Sequence, residues 1–399
     1  MYIAICILMK IKKFILASLF FLLSLFICSN CYAYRIGFFE FRPSLAVTEE
    51  YTDNIFCTNT DVVGGFKTII SPGFNIELPM VTVARDRSRY HLDMQFRLDS
   101  EEFDRFTVSN GVGYIAMAKF GYEMPSTGIT LDLYEVFRRA HDPYSVNVTP
   151  QLDWYHENAV TASLGYKFST RYQIRFDYTN HILNYDAERV SYRNETDNTI
   201  AGYFYYAFTP KLSAFVQYQG VKFDYDDHGL NNTENYLYGG IEWDVTAKSK
   251  GTVKAGSEST SFDDSSLGKY NNFVWRVDIN HNFDPKNSVI LAAYRRPNET
   301  NVVGTSFYLT TGFLLQYYHR ITGKIDVRGD LSYGEDKYYG VLGGNPRIDN
   351  TWNAAIWLFY QIKRWLRVEL GYMYTNRNSN IDVYTYKSNQ IWLTLRVTP

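Results

Sequence analysis

The sequence predicts an all-β protein, a single transmembrane antiparallel up-and-down β-barrel of about 18 strands, with 16 as the open alternative. Three observations support this fold class. An apolar N-terminal run resembles an export signal, later apolar runs are too short and charged for membrane helices, and strand-like segments alternate with turns. An exported chain with amphipathic strands and 35 tyrosines has the profile of an outer-membrane barrel.

The first 33 residues are predicted to be a cleaved secretory signal, and 34–399 to form the barrel. Three lysines precede the apolar run Phe14–Cys28, and the small residues Cys31 and Ala33 stand at the −3 and −1 positions of a cleavage site. An uncleaved membrane anchor is the weaker alternative, because the apolar run is short for a span.

Composition narrows the partners of the predicted mature chain. It keeps only Cys57, so we expect neither an intrachain disulfide nor a cysteine metal site. The formal net charge of the full chain is −2, and no basic block is present, so nucleic acid is not an expected partner.

The clearest hairpin is Gly202–Tyr225, in which two β-forming runs meet at the turn Phe208–Lys211. In the second run an apolar set alternates with a polar set, and period two places the sets on opposite faces of a strand. Phe215 interrupts the polar set. The apolar set is Leu212, Ala214, Val216 and Tyr218, and the polar set is Ser213, Gln217 and Gln219.

The N-terminal part predicts five strands before a long polar connection at Ala140–Glu157. The third has the most regular alternation, with an apolar set suited to lipid and a polar set suited to water. Pro72 weakens the second, because proline cannot donate to a strand ladder. The predicted strands are Pro43–Tyr51, Phe66–Leu78, Tyr90–Asp99, Gly111–Met124 and Gly128–Arg138.

From Glu157 onwards, tight turns recur at intervals of about 39 residues, and longer polar loops lie between them. Outer-membrane barrels have short periplasmic turns and longer outer loops, so an even strand count places both termini in the periplasm. A β-propeller repeats at a similar period but needs four strands per unit, whereas each interval here holds two. The turns include Thr170-Arg171, Pro210-Lys211, Pro285-Lys286, Gly323-Lys324 and Lys363-Arg364.

The polar positions of the clean strands are predicted to face the barrel interior, because a charge facing lipid is costly. These side chains either line a pore or pair across strands in a hydrated lumen. Both signs are present in similar number, so neither cation nor anion preference follows. Tyrosines and tryptophans are predicted mainly at lipid interfaces, with inner stacking platforms as the alternative. The lumen candidates are Asp93, Arg97, Arg175, Asp177, Glu242, Asp244, Arg276, Asp278, Asp326, Arg328, Asp330, Arg367, Glu369 and Arg396.

The sequence does not predict an enzyme. Its seven histidines lack metal-ligand spacing, and it contains neither a nucleophile elbow nor a phosphate-binding loop. We therefore assign no catalytic residue, cofactor or metal, although a Ser–His pair at the outer rim stays open.

Five short motifs follow one another along the predicted mature chain, namely Ser44–Asn54, Tyr238–Trp243, Asn282–Ser288, Arg295–Thr300 and Tyr318–Lys324. In this order they resemble the porin-2 family of outer-membrane β-barrels, and the likeness covers nearly the whole predicted mature chain. Members are often encoded beside exopolysaccharide machinery, so the resemblance implies a conduit or accessory for polysaccharide or capsule export, with periplasmic export proteins as partners. No catalytic residues come with the family.

The C-terminal end departs from this family type. Such barrels commonly end on an aromatic residue that the barrel assembly machinery reads, whereas Val397-Thr398-Pro399 ends this sequence. Membrane lipid and the assembly machinery are the other expected partners.

Three functions follow as hypotheses. The first is exopolysaccharide export, the second a general diffusion porin for small polar solutes, and the third a surface adhesin or receptor that uses the loop Tyr225–Glu234. A porin predicts a constricting inward loop, for which Ala140–Glu157 is the longest candidate.

Overall fold

The structure is a computed structural model that describes residues 34–83, 87–106, 109–142, 152–226, 229–246, 248–300, 305–340 and 346–398. The predicted signal lies outside these residues. Within them, no helix has the length and apolarity needed to cross a membrane.

The described chain is built almost entirely of antiparallel strands, with three short 3-10 segments at Glu188–Arg193, Ser265–Leu267 and Asp382–Tyr384. The strands are β1 Tyr34–Ile36, β2 Phe39–Thr52, β3 Gly65–Thr82, β4 Arg89–Phe103, β5 Gly111–Met124, β6 Ile129–His141, β7 Trp154–Lys167, β8 Tyr172–Tyr185, β9 Glu195–Thr209, β10 Leu212–Tyr225, β11 Asn232–Thr246, β12 Ser249–Phe262, β13 Lys269–Asp284, β14 Asn287–Glu299, β15 Phe307–Arg320, β16 Ile325–Tyr339, β17 Ile348–Lys363, β18 Leu366–Ser379 and β19 Tyr386–Val397.

Strands β2 to β19 close into an 18-stranded barrel, which confirms the predicted fold class. Each pairs with the next in sequence, and β19 returns to β2 from Gln390↔Thr52 to Val397↔Leu45. Closure pairs the backbone amides within the protein, as hydrocarbon requires. The short β1 pairs only with β2 and was not predicted.

The two ends of the barrel differ in the length of their connections, as predicted. Short connections such as 210–211, 285–286 and 364–365 lie at the end that also holds the start of β2 and the end of β19. Longer connections such as 53–64 and 186–194 lie at the opposite end. Because outer-membrane barrels have short periplasmic turns and longer extracellular loops, the end with the short connections is periplasmic.

The predicted hairpin forms as β9 and β10. Val216 and Tyr218 are exposed on the outer face, whereas Phe215 is buried on the inner face against Tyr203 and Tyr205. Its ring lies over Gly240, where an added Cβ would come within 2.4 Å of it. Phe215 therefore breaks the polar pattern because it packs inside the barrel.

Pro72 lies within β3, which is longer than predicted. The ladder from β3 to β4 passes from Ile70↔Ser100 to Gly73↔Arg97 without a partner for Pro72. This local interruption fits the missing N–H of proline.

Tyrosines on the outer face pair repeatedly with asparagines of the next strand, towards the extracellular end. The phenol of Tyr178 donates to Asn198 at 2.8 Å, and that of Tyr218 to Asn235 at 2.7 Å. The same arrangement joins Tyr333 to Asn350 and Tyr372 to Asn389. Such rings suit a membrane interface, since one end is apolar and the other polar.

Candidate functional site: the inner face of the barrel

Directly opposite residues of an antiparallel ladder share a face, so the register assigns every strand position to the inside or the outside. Alternation and pairing place all fourteen predicted residues on the inner face. Arg97 lies opposite Gly73, and Arg175 lies opposite Tyr203, for example. That these residues line a conducting pore stays a prediction.

The inner charges are mostly paired within their own strands, through an arginine and a carboxylate two residues later. The distances between nitrogen and oxygen are 3.0 Å for Arg97–Asp99, 3.2 Å for Arg175–Asp177, 2.6 Å for Arg276–Asp278, 3.1 Å for Arg328–Asp330 and 3.6 Å for Arg367–Glu369. Residues two apart on a strand point to the same face, which brings each pair together. Pairing of this kind leaves little net charge on these strands.

Of the other predicted positions, three have a partner of opposite charge and two have neutral polar neighbours. Asp244 contacts Lys250 at 2.9 Å, Asp326 contacts Arg320 at 3.3 Å, and Arg396 donates to Glu369 at 2.9 Å. Asp93 accepts a hydrogen bond from Gln95 at 3.2 Å. Glu242 lies opposite Ser213 and Thr252, which share its face.

Aromatic side chains cover part of the same inner wall near the periplasmic end. Trp357 meets Trp392 edge to face with ring centroids 4.3 Å apart. The guanidinium of Arg328 lies 4.7 Å from the Trp357 ring, and that of Arg367 lies 4.2 Å from the Phe359 ring. Aromatic rings therefore lie on the inner wall as well as on the outer face, and stacking of a solute on the inner rings stays a prediction.

Replacing Glu369 by glutamine is expected to shift the barrel towards anion preference. The change leaves Arg367 and Arg396 without the carboxylate they share, so the inner wall gains net positive charge. Reversal potentials across a planar bilayer under a KCl gradient measure this shift. Arg396→Gln should move the potential in the opposite direction, and equal potentials in all three proteins would contradict the prediction.

A second group of carboxylates, which period-two alternation did not predict, lies inside the barrel near the extracellular ends of β9, β11, β12 and β14. Glu258 is 1% exposed and accepts hydrogen bonds from Thr260 and Asn272. Glu234 is 4% exposed and accepts one from Tyr236. These acids stand at strand ends, where loop residues obscure the alternation that identified the mid-strand charges.

His181, Glu195 and Asp197 are the group among the described residues with metal-ligand geometry, their ligand atoms lying within 4.8 Å of one another. However, Nδ1 of His181 is 2.7 Å from Asp197, and Nε2 is 3.3 Å from Glu157. Because both ring nitrogens already face carboxylates, the histidine serves as a bridge between strands, and we assign no metal there.

The end of the β14–β15 hairpin folds into the barrel. Glu299 follows the inward-facing Asn298 and so belongs to the outer face of β14, yet it contacts the inner faces of β10 and β11. Tyr225 donates to it at 2.5 Å, and Asn232 at 3.3 Å. The end of β14 therefore lies inside the wall formed by β10–β13.

The burial of side chains supports this placement of the end of β14 inside the wall formed by β10–β13. Phe307 at the start of β15 is 2% exposed, and its ring centroid is 4.6 Å from that of Tyr270 on β13. Val274 and Asn232 on the covered wall are both 0% exposed. Side chains facing an open water-filled lumen would not be sealed to this degree, so the hairpin end narrows the extracellular mouth.

Loop length alone predicted the constriction at a different place, the connection between β6 and β7. The two ends of that candidate, Ala140–Glu157, belong to β6 and β7, and 143–151 lie outside the described residues. Neighbouring outer connections pack together through Ile55, Phe103 and Leu152.

A buried ion cluster fixes the extracellular ends of β17 and β18. Asp349 is 0% exposed, and Arg347 donates to it at 2.6 Å while Arg377 makes a second contact. The Arg347 guanidinium also lies 3.3 Å from the Tyr384 ring and 4.5 Å from that of Tyr338. The cluster ties two outer connections to the inner wall.

A family model described as Putative beta-barrel porin 2 matches residues 136–398, which is more than half of the chain. The chain belongs to this family. Together with the closed barrel, membership makes it an outer-membrane, porin-like β-barrel protein. The predicted family is thus confirmed.

Solved structures of similar fold include two bacterial proteins. Acinetobacter baumannii OccAB3 has 8% identity and a TM-score of 0.48, with 90% of this chain and 99% of that chain covered. Pseudomonas aeruginosa OccK7 (OpdD) has 9% identity and a TM-score of 0.48, with the same coverage of 90% and 99%. No curated protein has a sequence that matches this chain.

Proposed function

We propose that the protein is a diffusion channel that passes small polar solutes across the outer membrane through a mouth narrowed by the β14–β15 hairpin. The observation that carries this proposal is the barrel itself, with a polar inner face and an inward-folded segment. A barrel of this strand number encloses a space wide enough for water.

The chemistry of the inner wall supports a channel for solutes of either charge. The guanidinium and carboxylate groups stand next to one another along each strand, as in Arg276 and Asp278, and both partners are partly exposed. Solutes can therefore form hydrogen bonds with both donors and acceptors of the wall, and the net electrostatic field that acts on them is small.

Polysaccharide export is less well supported than diffusion. A polymer conduit needs a continuous wide passage, whereas the inner faces of β10–β13 are covered at the extracellular end by Glu299 and Phe307. Family membership supports a porin-like protein without naming a solute. The export and adhesin roles, and the partners expected for them, are therefore not part of this proposal.

A liposome-swelling assay with refolded protein tests the proposal. We expect influx of small neutral polar solutes, falling steeply as their size increases, because the narrowed mouth excludes larger molecules. Empty liposomes and heat-denatured protein are the controls. Absence of influx for every solute, together with loss of surface polymer in a deletion strain, would favour export instead.

A further inference from the structure

The ladder between β13 and β14 ends before either strand does. Its last pair at the extracellular side is Trp275↔Arg295, although β13 extends to Lys269 and β14 to Glu299. Continued register would bring Pro297 opposite Phe273, and proline cannot donate to a ladder. The two strand ends therefore separate, with the end of β14 on the inside.

Each separated end keeps its other neighbour. β13 stays paired with β12 as far as Ser261↔Lys269, and β14 stays paired with β15 as far as Glu299↔Phe307. Because β15 is itself paired with β16 as far as Phe307↔Tyr339, the end of β14 is the free edge of a continuous sheet. This edge can change its position relative to β13 without breaking the ladders on its other side. Two-position segments of this type are a common basis for gating.

Among the described residues, Glu299 makes polar contacts that hold this edge inward. Its two carboxylate oxygens accept from Tyr225 and from Asn232, which belong to adjacent strands of the opposite layer. A buried carboxylate gains most from hydrogen bonds that compensate for its lost water. The apolar contact between Phe307 and Tyr270 lies beside them.

We propose that Glu299 is a positioning residue that holds the end of the β14–β15 hairpin inward and thereby sets the size limit of the channel. In the second position the hairpin end moves outward, Phe273 and Pro297 come opposite one another, and the mouth widens. This inference deepens the proposed diffusion function and rests on it.

The first test compares Glu299→Ala with the unaltered protein in planar bilayers and in liposome swelling. Loss of the carboxylate releases the hairpin end, so single-channel conductance rises severalfold and larger solutes enter. Tyr225→Phe, which removes one donor, gives a smaller rise. Glu335→Ala removes an outward-facing carboxylate at the extracellular end of β16 and leaves both readouts unchanged.

A second test fixes each position covalently, in a Cys57→Ser background. In Asn232→Cys/Glu299→Cys, a short bis-maleimide links the hairpin end to β11 and holds conductance at the low level. In Phe273→Cys/Pro297→Cys, the outward position brings the Cα atoms to about 4.5–5.5 Å, a separation that suits a disulfide. Oxidation then raises conductance, and reduction reverses the rise.

The outcomes separate the two proposals. If the unaltered barrel passes no solute, the diffusion function fails. In a second outcome the unaltered barrel conducts, Glu299→Ala has the same conductance and size limit, and the Phe273/Pro297 cysteines form no disulfide. That outcome refutes the role of Glu299 and leaves the diffusion function supported. Heat-modifiable migration on gels shows for each variant that the barrel has folded.

Discussion

Leu164→Arg is expected to destabilise the folded barrel by about 2–4 kcal/mol, the range for a basic residue facing the centre of the bilayer. Leu164 is 51% exposed on the outer face of β7, opposite Leu131 and Phe176, so its surroundings in the membrane are acyl chains. An arginine there must either extend its guanidinium to the membrane–water interface or bring water into the hydrocarbon region. Urea unfolding in lipid vesicles, followed by tryptophan fluorescence, measures the loss.

The adjacent residue supplies a matched control. Ser163 faces inward between Asp132 and Asp177 of the neighbouring strands, so Ser163→Arg places the same charge beside two carboxylates in water. We expect stability within about 0.5 kcal/mol of the unaltered protein, as for most substitutions away from packed features. Equal losses at positions 163 and 164 would show that the two faces are not distinguished.

Period-two alternation predicted the barrel and the facing of its mid-strand charges because lipid penalises every misplaced charge. In β8, for example, Arg175 and Asp177 alternate with Ile174 and Phe176, and the register keeps these sets on opposite faces. The number of strands was predicted from the regular spacing of the tight turns. Strand ends were less predictable, since β3 and β6 both extend beyond the predicted bounds.

The constriction could not be predicted from alternation, because it depends on how two separated strand ends pack in three dimensions. Glu299 stands on the outer face of β14 by sequence position and is nevertheless enclosed by Tyr225 and Asn232. One signal was available, namely Pro297 near the end of a strand, which indicates an interrupted ladder. The direction in which the free end turns has no local signature.

The other large effect is expected at the extracellular ion cluster, where Asp349→Ala should cost about 3–5 kcal/mol, as measured when one partner of a buried ion pair is removed. Asp349 is 0% exposed and Arg347 is 4% exposed, so the arginine would keep its charge in a site that water barely reaches. The hydrogen bonds from Arg347 and Arg377 to Asp349 would both be lost.

The same unfolding assay measures this loss, and a second variant separates burial of charge from loss of packing. Replacing all three residues together, as Arg347→Met/Asp349→Leu/Arg377→Met, removes the charges and keeps apolar volume against Tyr338 and Tyr384. Buried ion pairs often contribute no more than such apolar replacements, so the triple variant should recover most of the stability. If it is as unstable as Asp349→Ala, the loss arises from shape and not from stranded charge. A near-neutral Asp349→Ala would instead show that solvent enters the cluster and that the extracellular ends of β17 and β18 are held by their ladder alone.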